Sequence, residues 1–228
     1  MNTALIVAAH PDDEVLGCGG TMARLAEEGW QVHVLILAEG ATSRAAVRDR
    51  VSHDAQLSDL ARSARAAAVA LGITDVRLLA LPDNRMDGVE LLDVVKLVEE
   101  EVRRLQPSRV YTHHRDDLNI DHRIVHDAVS AATRPQPACS VREVITFEVP
   151  SATEWRLPGS GLPFVPNLFV DISHQFDKKR RALEAYASEM RPFPHARSLE
   201  ALEHLARWRG ASAGVAAAEA FQLARALV

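Results

Sequence analysis

The sequence ALIVAAHPDDE, residues 4–14, gives the first indication of the architecture, because a continuous apolar run ends abruptly in polar and charged side chains. Residues 4–9 have the length of one strand, and an uninterrupted apolar run is typical of a strand that is buried on both faces of a parallel sheet. The run is far shorter than the roughly 20 residues that cross a bilayer, and it lacks a basic leader. We therefore expect a buried strand rather than a membrane span or a signal peptide.

Strand-like and helix-like segments alternate after this run. Further strands are predicted at residues 32–38, 76–81 and 109–112, and helices at residues 17–28, 57–71, 91–105 and 121–132. Alternation of this kind favours βαβ units. The first 132 residues therefore predict an α/β fold, with a mainly parallel sheet that is flanked by helices on both faces.

The remainder of the chain is less regular. A strand is predicted at residues 141–149, and residues 150–166 hold four prolines and two glycines, which indicates an ordered loop or lid. One more strand is predicted at residues 168–172, and C-terminal helices at residues 174–190, 198–208 and 213–227. A single domain over residues 1–228 is the simplest organisation.

Composition excludes several classes of protein. The chain has 228 residues with 26 Lys and Arg against 31 Asp and Glu, which gives a net charge of −5. An acidic balance gives no support to nucleic-acid binding, which needs a basic surface. The only two cysteines, Cys18 and Cys139, form neither a disulfide framework nor a zinc knuckle. We expect a protein of a reducing compartment, the cytoplasm.

The turn after the first strand carries the chemistry. Ligands of open parallel sheets bind beyond the carboxyl ends of the strands. His10 and Asp13 are three residues apart, close enough to turn toward one metal ion, and Asp12 between them could lean over the open side of that ion. Glu14 could cap the helix or support the ligands. The alternative is that the carboxylates only cap the helix, since Asp suits a first helical turn.

A second cluster supplies candidates for a third ligand. Four histidines, at positions 113, 114, 122 and 126, follow the fourth predicted strand and so reach the same edge of the sheet. Two imidazoles and one carboxylate fit catalytic zinc, and also the triad of non-haem iron oxygenases. The spare carboxylate of Asp12 favours activation of water, which needs a nearby base.

At these residues the chain resembles the PIG-L (LmbE-like) family of zinc-dependent de-N-acetylases. The resemblance rests on residues 9–14 (AHPDDE) and 119–123 (NIDHR), and it is firmest over residues 1–135. It implies a Rossmann-like fold, Zn²⁺ held by His10, Asp13 and His122, and Asp12 as the general base. Asp121 is implied to orient a neighbouring ligand.

The chain departs from the family at one position. Many members have histidine where this chain has Asn119, and the resemblance implies that this histidine steadies the tetrahedral intermediate or protonates the leaving amine. Asn119 can donate a hydrogen bond but no proton, so we expect His113 or His114 to take over the missing role. Arg44, which follows the second strand, and His195, in a C-terminal break between helices, are expected to contact the substrate.

The activity that the resemblance implies is hydrolysis of an acetamide on a small sugar or sugar-like metabolite, which releases acetate and a free amine. One alternative is an amidase that acts on a larger amide or a thiol conjugate. Another is a Rossmann-like nucleotide-binding protein without catalytic activity. A second copy of the chain is a further partner to consider.

Overall fold

Seven strands form one sheet in the structure, a computed structural model that describes residues 2–73, 75–137 and 139–228. The strands are β1 (Thr3–Ala8), β2 (Gln31–Ala38), β3 (Asp75–Leu81), β4 (Arg109–His113), β5 (Glu143–Phe147), β6 (Leu168–Asp171) and β7 (Ala218–Ala226). The helices are α1 (Asp13–Glu27), α2 (Asp54–Leu71), α3 (Leu91–Leu105), α4 (Ile120–Ala132), α5 (Phe176–Ala185) and α6 (Leu199–Ala213). Short 3₁₀ turns lie at Thr42–Arg44 and Met86–Gly88.

The strand order is β3-β2-β1-β4-β5-β7-β6, and the first five strands of this order run parallel. Successive residues of β1 pack into different layers: Ile6 lies in a cluster with residues of α1, α2 and α5, whereas Leu5 and Val7 lie in one with residues of α3 and α4. Both faces of the sheet are therefore covered. The predicted α/β fold with a mainly parallel sheet is confirmed.

The topology fixes the place of the candidate site. From β1 the chain proceeds outward to β2 and β3, and then it returns to β4 on the other side of β1. The connections after β1 and β4 therefore diverge between these neighbouring strands. Such a switch point leaves a crevice at the carboxyl ends of the strands, where open α/β sheets bind their ligands.

The last element corrects the prediction of a helix at residues 213–227, which was wrong. Helix α6 ends at Gly214, which has a left-handed conformation with φ of 78°. The chain then forms β7, which runs antiparallel to both β5 and β6 and lies between them. Its alanines favour a helix locally, but the slot between two strands offers hydrogen bonds along both edges and buries Ala218–Phe221. Tertiary pairing therefore overrides local propensity.

A buried ion pair connects β7 to the other layers. Lys179 on α5 donates to Glu219 of β7 over 2.6 Å and to the Leu16 carbonyl over 2.9 Å. Glu219 also accepts the backbone N–H groups of Gly20 and Thr21, just after helix α1 is kinked at Cys18. The carboxylate thus satisfies amides that the kink leaves without helical partners.

We expect Lys179→Ala to lower the free energy of unfolding by about 3–5 kcal/mol, because Glu219 then remains buried without its countercharge. The matched control is Lys178→Ala at the preceding position, where the ion pair with Glu27 is partly exposed and is worth at most about 1 kcal/mol. Chemical denaturation of both variants measures the difference. Equal losses would show that the buried pair has no special weight.

Residues 150–166 contain neither helix nor strand, as predicted for the loop. Among the described residues, no helix has both the length and the apolar character needed to cross a bilayer.

Candidate metal centre

Three side chains from two distant parts of the chain meet at the switch point. His10 follows β1, Asp13 begins α1, and His122 lies in the first turn of α4. The Oδ2 atom of Asp13 lies 3.1 Å from both His10 Nδ1 and His122 Nε2. When two ligand atoms each lie about 2.0–2.1 Å from a tetrahedral zinc ion, they are about 3.3 Å from each other. The arrangement therefore fits a divalent cation.

Unsatisfied polar atoms support this fit. Asp13 Oδ1 and His122 Nε2 are buried and have no hydrogen-bond partner of adequate geometry among the described residues, whereas the other ring nitrogen of His122 faces Asp117. Burial alone lowers the pKa of His122, but the Asp13 and Asp117 carboxylates raise that pKa to about 9. The carboxylates thus create a strong preference for positive charge in this space, which a cation satisfies together with the orphaned atoms.

Two further aspartates orient the histidines. Asp121 Oδ2 lies 3.0 Å from His10 Nε2, and its two oxygens also accept the backbone N–H groups of Asn84 and Met86. Asp117 Oδ1 lies 3.2 Å from His122 Nδ1. A carboxylate behind a ligating histidine fixes its ring and tautomer. Sequence reasoning missed Asp117; its position five residues before His122 was the available signal.

A second group of residues could also hold a metal ion. It consists of His10, Asp83 and Asp121, with His10 Nε2 3.4 Å from Asp83 Oδ1. Both of its carboxylates, however, already accept other hydrogen bonds. Asp83 accepts the Ser43 N–H and the side-chain amide of Asn84, and Asp121 accepts the Asn84 N–H. The group with Asp13 and His122 retains free ligand atoms and is therefore the better candidate.

Asp12 stands beside the three ligands in a strained conformation. Its backbone φ is 117°, a region that side chains other than glycine rarely occupy, and its residue is only 2% exposed. Its carboxylate accepts a hydrogen bond from Arg197 Nη1 over 2.8 Å. Burial raises the pKa of Asp12 well above its usual range, and Arg197 opposes this shift. Sequence reasoning gave Arg197 no role, since 185 positions separate the two residues.

Glu14 holds the turn that carries Asp12. Its Oε2 accepts the Asp12 N–H over 3.0 Å, and its Oε1 accepts the Tyr186 hydroxyl over 2.7 Å. Burial raises the pKa of Glu14 to about 7. Glu14 therefore contacts the backbone of the turn.

The residues expected to replace the family histidine have other partners. Asn119 caps α4 by accepting the Asp121 N–H, and its Nδ2 donates to Asn84. His113 stacks on His122 with ring centroids 3.9 Å apart, and its Nε2 accepts the Ala9 N–H.

Burial and the neighbouring His122 lower the pKa of His113 well below its usual value. The ring is therefore neutral, and its Nε2 is occupied, so this arrangement favours a packing role over the expected role as proton donor. Both ring nitrogens of His114 are also engaged, with Gln222 and the Leu162 carbonyl.

The two expected substrate contacts lie in segments around the site. Arg44 is half-exposed and pairs with Glu189 over 2.5 Å. His195 is half-buried, and its Nδ1 accepts the backbone N–H of Arg197 over 3.0 Å. Because Arg197 also contacts Asp12, His195 belongs to the surroundings of the candidate site.

The chain is similar to known deacetylases over most of its length. A family model described as PIG-L, GlcNAc-PI de-N-acetylase, matches residues 5–133. The chain is 30% identical over 190 residues to an uncharacterized deacetylase, YaiS, of Escherichia coli K12, covering 81% of this chain and 90% of the relative. It is 28% identical to a 1D-myo-inositol 2-acetamido-2-deoxy-alpha-D-glucopyranoside deacetylase of Rhodococcus jostii RHA1, covering 91% and 92%.

One solved structure extends the likeness over the whole chain. GalB, the 4-carboxy-2-hydroxymuconate hydratase of Pseudomonas putida KT2440, superposes with a TM-score of 0.80 at 25% identity. The match covers 100% of this chain and 98% of that one. The fold thus occurs both in deacetylases and in a hydratase.

Proposed function

Because the chain belongs to the PIG-L family of GlcNAc-PI de-N-acetylases, we propose that it is a zinc-dependent hydrolase of an N-acetylated sugar or sugar-like metabolite. The reaction releases acetate and a free amine. The observation that carries this proposal is the convergence of His10, Asp13 and His122 on one buried point, with the carboxylate of Asp12 beside it.

His10 Nδ1, Asp13 and His122 Nε2 would hold the proposed metal. When bound, zinc polarises a carbonyl oxygen and lowers the pKa of bound water toward about 7. The same two-imidazole, one-carboxylate set also suits iron. We favour zinc because Asp12 supplies the base that hydrolysis requires.

Asp12 accepts a proton from the attacking water while the water oxygen forms a bond to the carbonyl carbon of the acetamide. Arg197 holds the Asp12 carboxylate in place during this transfer. The bond between the carbonyl carbon and nitrogen then breaks, and the nitrogen needs a proton. An asparagine side chain has no acidic proton, and His113 is neutral with its Nε2 bonded to the Ala9 N–H, so Asp12 returns the proton to the departing amine.

Arg44 and His195 complete the proposed site as substrate contacts. The guanidinium of Arg44 is half-exposed and has N–H groups beyond the one that meets Glu189, so it can bind a hydroxyl, phosphate or carboxylate of the substrate. His195 reaches the same surroundings through its neighbour Arg197.

We expect Arg197→Gln to lower kcat by roughly tenfold to a hundredfold, less than or equal to the smallest contribution of a general base, about a hundredfold, while metal content and KM stay near normal. The reason is that glutamine cannot supply the countercharge that orients Asp12. Arg207→Gln is the matched control, since Arg207 pairs with Glu203 on an exposed face of α6. Steady-state kinetics with metal analysis would count against the role if both variants behaved alike.

The direct test of the proposed function is release of acetate from a panel of N-acetylated sugars by the zinc-loaded protein. Including larger amides and thiol conjugates in the panel tests the amidase alternative. No acetate from any compound would contradict the proposal. Binding of a nucleotide instead is disfavoured, because carboxylates of Asp12, Asp13 and Glu14 crowd the start of α1, where a phosphate would lie.

A second candidate function is addition of water to a carbon–carbon double bond. It is favoured by the superposition on GalB over the whole chain. Asp12 would take a proton from water as the water oxygen bonds to one carbon, and would deliver that proton to the other carbon of the double bond. Loss of the ultraviolet absorbance of a conjugated unsaturated carboxylate, without acetate release from the amide panel, would select this function.

We also propose a domain organisation, a cellular location and a class of partner for the enzyme. We infer one domain over residues 1–228, supported by the pairing of β7 with β5. A cytoplasmic location is supported by Cys18 and Cys139, which are both free thiols. The net charge of −5 fits a small-molecule substrate better than a nucleic acid.

A further inference from the structure

A cavity of about 240 Å³ lies between helix α4 and strands β4, β5 and β7. Its volume is below the roughly 300 Å³ at which pockets for drug-sized ligands begin, so it fits a small molecule or an ion. Its polar lining consists of Thr112, His126, Ser130, Thr133 and Arg225. None of the three proposed metal ligands lines it, so the cavity is separate from the candidate metal centre.

Thr112 lines this cavity and has a hydroxyl group without a partner. The residue is 0% exposed, and its Oγ1 has no hydrogen-bond partner among the described residues. Its side chain lies on the same face of the sheet as that of Val110, two residues earlier in β4, which packs with Val125 and Val129 of α4. Because folded proteins rarely leave a buried hydroxyl unpaired, Thr112 indicates that a ligand binds here.

A β-bulge in β7 places a guanidinium on the same face. Ile145 of β5 pairs with Leu223 of β7, and the register then shifts by one residue. Val144 therefore pairs with Arg225 rather than with Ala224. A bulge re-aims the side chains that follow it, and here it gives an arginine the place that a regular strand would give to an alanine.

The guanidinium of Arg225 carries a positive charge that no neighbouring carboxylate balances. Its Nη2 donates to the Thr133 carbonyl over 2.6 Å, and within the described part of the chain it forms no ion pair. Its other N–H groups can bind an oxyanion. Together with the hydroxyl groups of Thr112 and Ser130, Arg225 makes the cavity suitable for negatively charged oxygen atoms.

His126 adds a hydrogen-bond acceptor to these donors. Its Nδ1 lies 2.9 Å from the His113 carbonyl, which can only accept, so the ring proton lies on Nδ1. Burial lowers the pKa of His126, which keeps the ring neutral. Nε2 therefore has a lone pair, and a ligand that meets this atom must donate a proton to the hydrogen bond.

We propose that this cavity binds inorganic hydrogen phosphate. Three unprotonated oxygens of the ion accept from Arg225, Thr112 and Ser130, and its P–O–H group donates to Nε2 of His126. Sulfate, a simple carboxylate and the dianion of a phosphate monoester all lack such a hydroxyl group. Free hydrogen phosphate therefore matches the donors and the acceptor together, and the site does not depend on the proposed function.

Calorimetric titration of inorganic phosphate into the zinc-loaded protein, at mildly alkaline pH, tests the site. Thr112→Val and Arg225→Gln should each weaken binding by about ten- to a hundredfold, because each removes a hydrogen bond to a charged ligand. Arg134→Gln is the control, since Arg134 pairs with Glu99 on α3, and it should keep the parent affinity. Absence of binding to the parent protein overturns the site, and so does equal binding by all variants, which would place the phosphate elsewhere.

Two further measurements separate ligand binding from a structural role of the same residues. Thr112→Val replaces an unpartnered hydroxyl by a methyl group of the same shape, so it should unfold at no lower denaturant concentration than the parent protein. Sulfate should bind about tenfold more weakly than phosphate, or weaker still, because it cannot donate to Nε2 of His126. Equal affinity for the two ions overturns the assignment of hydrogen phosphate.

Discussion

Replacement of Asp12 by asparagine is expected to leave metal binding intact and to reduce turnover by about two to four orders of magnitude, the scale that a general base contributes. Asparagine has nearly the same shape, tolerates the positive φ of this position, and can still accept the hydrogen bond of Arg197. What it cannot do is take the proton of water. Steady-state kinetics and metal analysis of the same preparation measure both effects.

The matched control for this variant is Asp116→Asn. Asp116 follows β4 at the same edge of the sheet, and its carboxylate accepts the N–H of Leu162, a bond that an asparagine oxygen also accepts. The control should retain near-normal turnover. Near-normal turnover of Asp12→Asn itself, with one equivalent of metal, would remove Asp12 from the proposed mechanism.

Removal of a metal ligand is expected to abolish both zinc binding and activity. His122→Ala should fall from about one equivalent of bound zinc to almost none and lose its activity, because a catalytic site requires three protein ligands. His10→Ala should behave in the same way. In the parent protein, zinc at 1,000 times its Kd should stabilise the fold by about 4 kcal/mol, and this gain should disappear in both variants.

His126→Gln is the control, since His126 lies one turn beyond His122 on the same helix and its one side-chain hydrogen bond among the described residues is to the His113 carbonyl. Metal analysis and thermal unfolding, each with and without added zinc, provide readouts independent of any substrate. Retention of zinc by both His10→Ala and His122→Ala would show that the ion binds elsewhere. Retention by one alone would move the third ligand to another side chain.

Local patterns were sufficient for most of the fold. The continuous apolar run of β1 and the three- and four-residue spacing of apolar side chains in α3 report burial directly, since each residue's neighbours along the chain define the face that it occupies. Helix α1 was predicted to begin at residue 17 but begins at Asp13, because carboxylates stabilise the first turn of a helix. The site residues within positions 9–14 were recognisable because they come directly after the end of a strand, which is also a local feature of the sequence.

Contacts between residues that are distant in the chain could not be predicted from such local patterns. The alanines of β7 favour a helix until β5 and β6 stand on either side of the segment. Arg197 is one of many arginines in the sequence, and only folding brings it to Asp12. His113 carried no sign that a backbone amide would occupy it, whereas Asn119 did offer one, since asparagine just before a predicted helix is a favoured N-cap.

The sequence alone therefore determined that this protein has a mainly parallel α/β sheet with a cluster of histidine and carboxylate side chains at one edge, because hydrophobic periodicity and strand ends are local properties. Only the tertiary structure decided which of those side chains share one point, which are held by other partners, and where the last strand lies. Those outcomes depend on hydrogen bonds and charges between segments that are distant in the chain, such as His10 with Asp121 and Arg197 with Asp12, whose energies no local pattern contains.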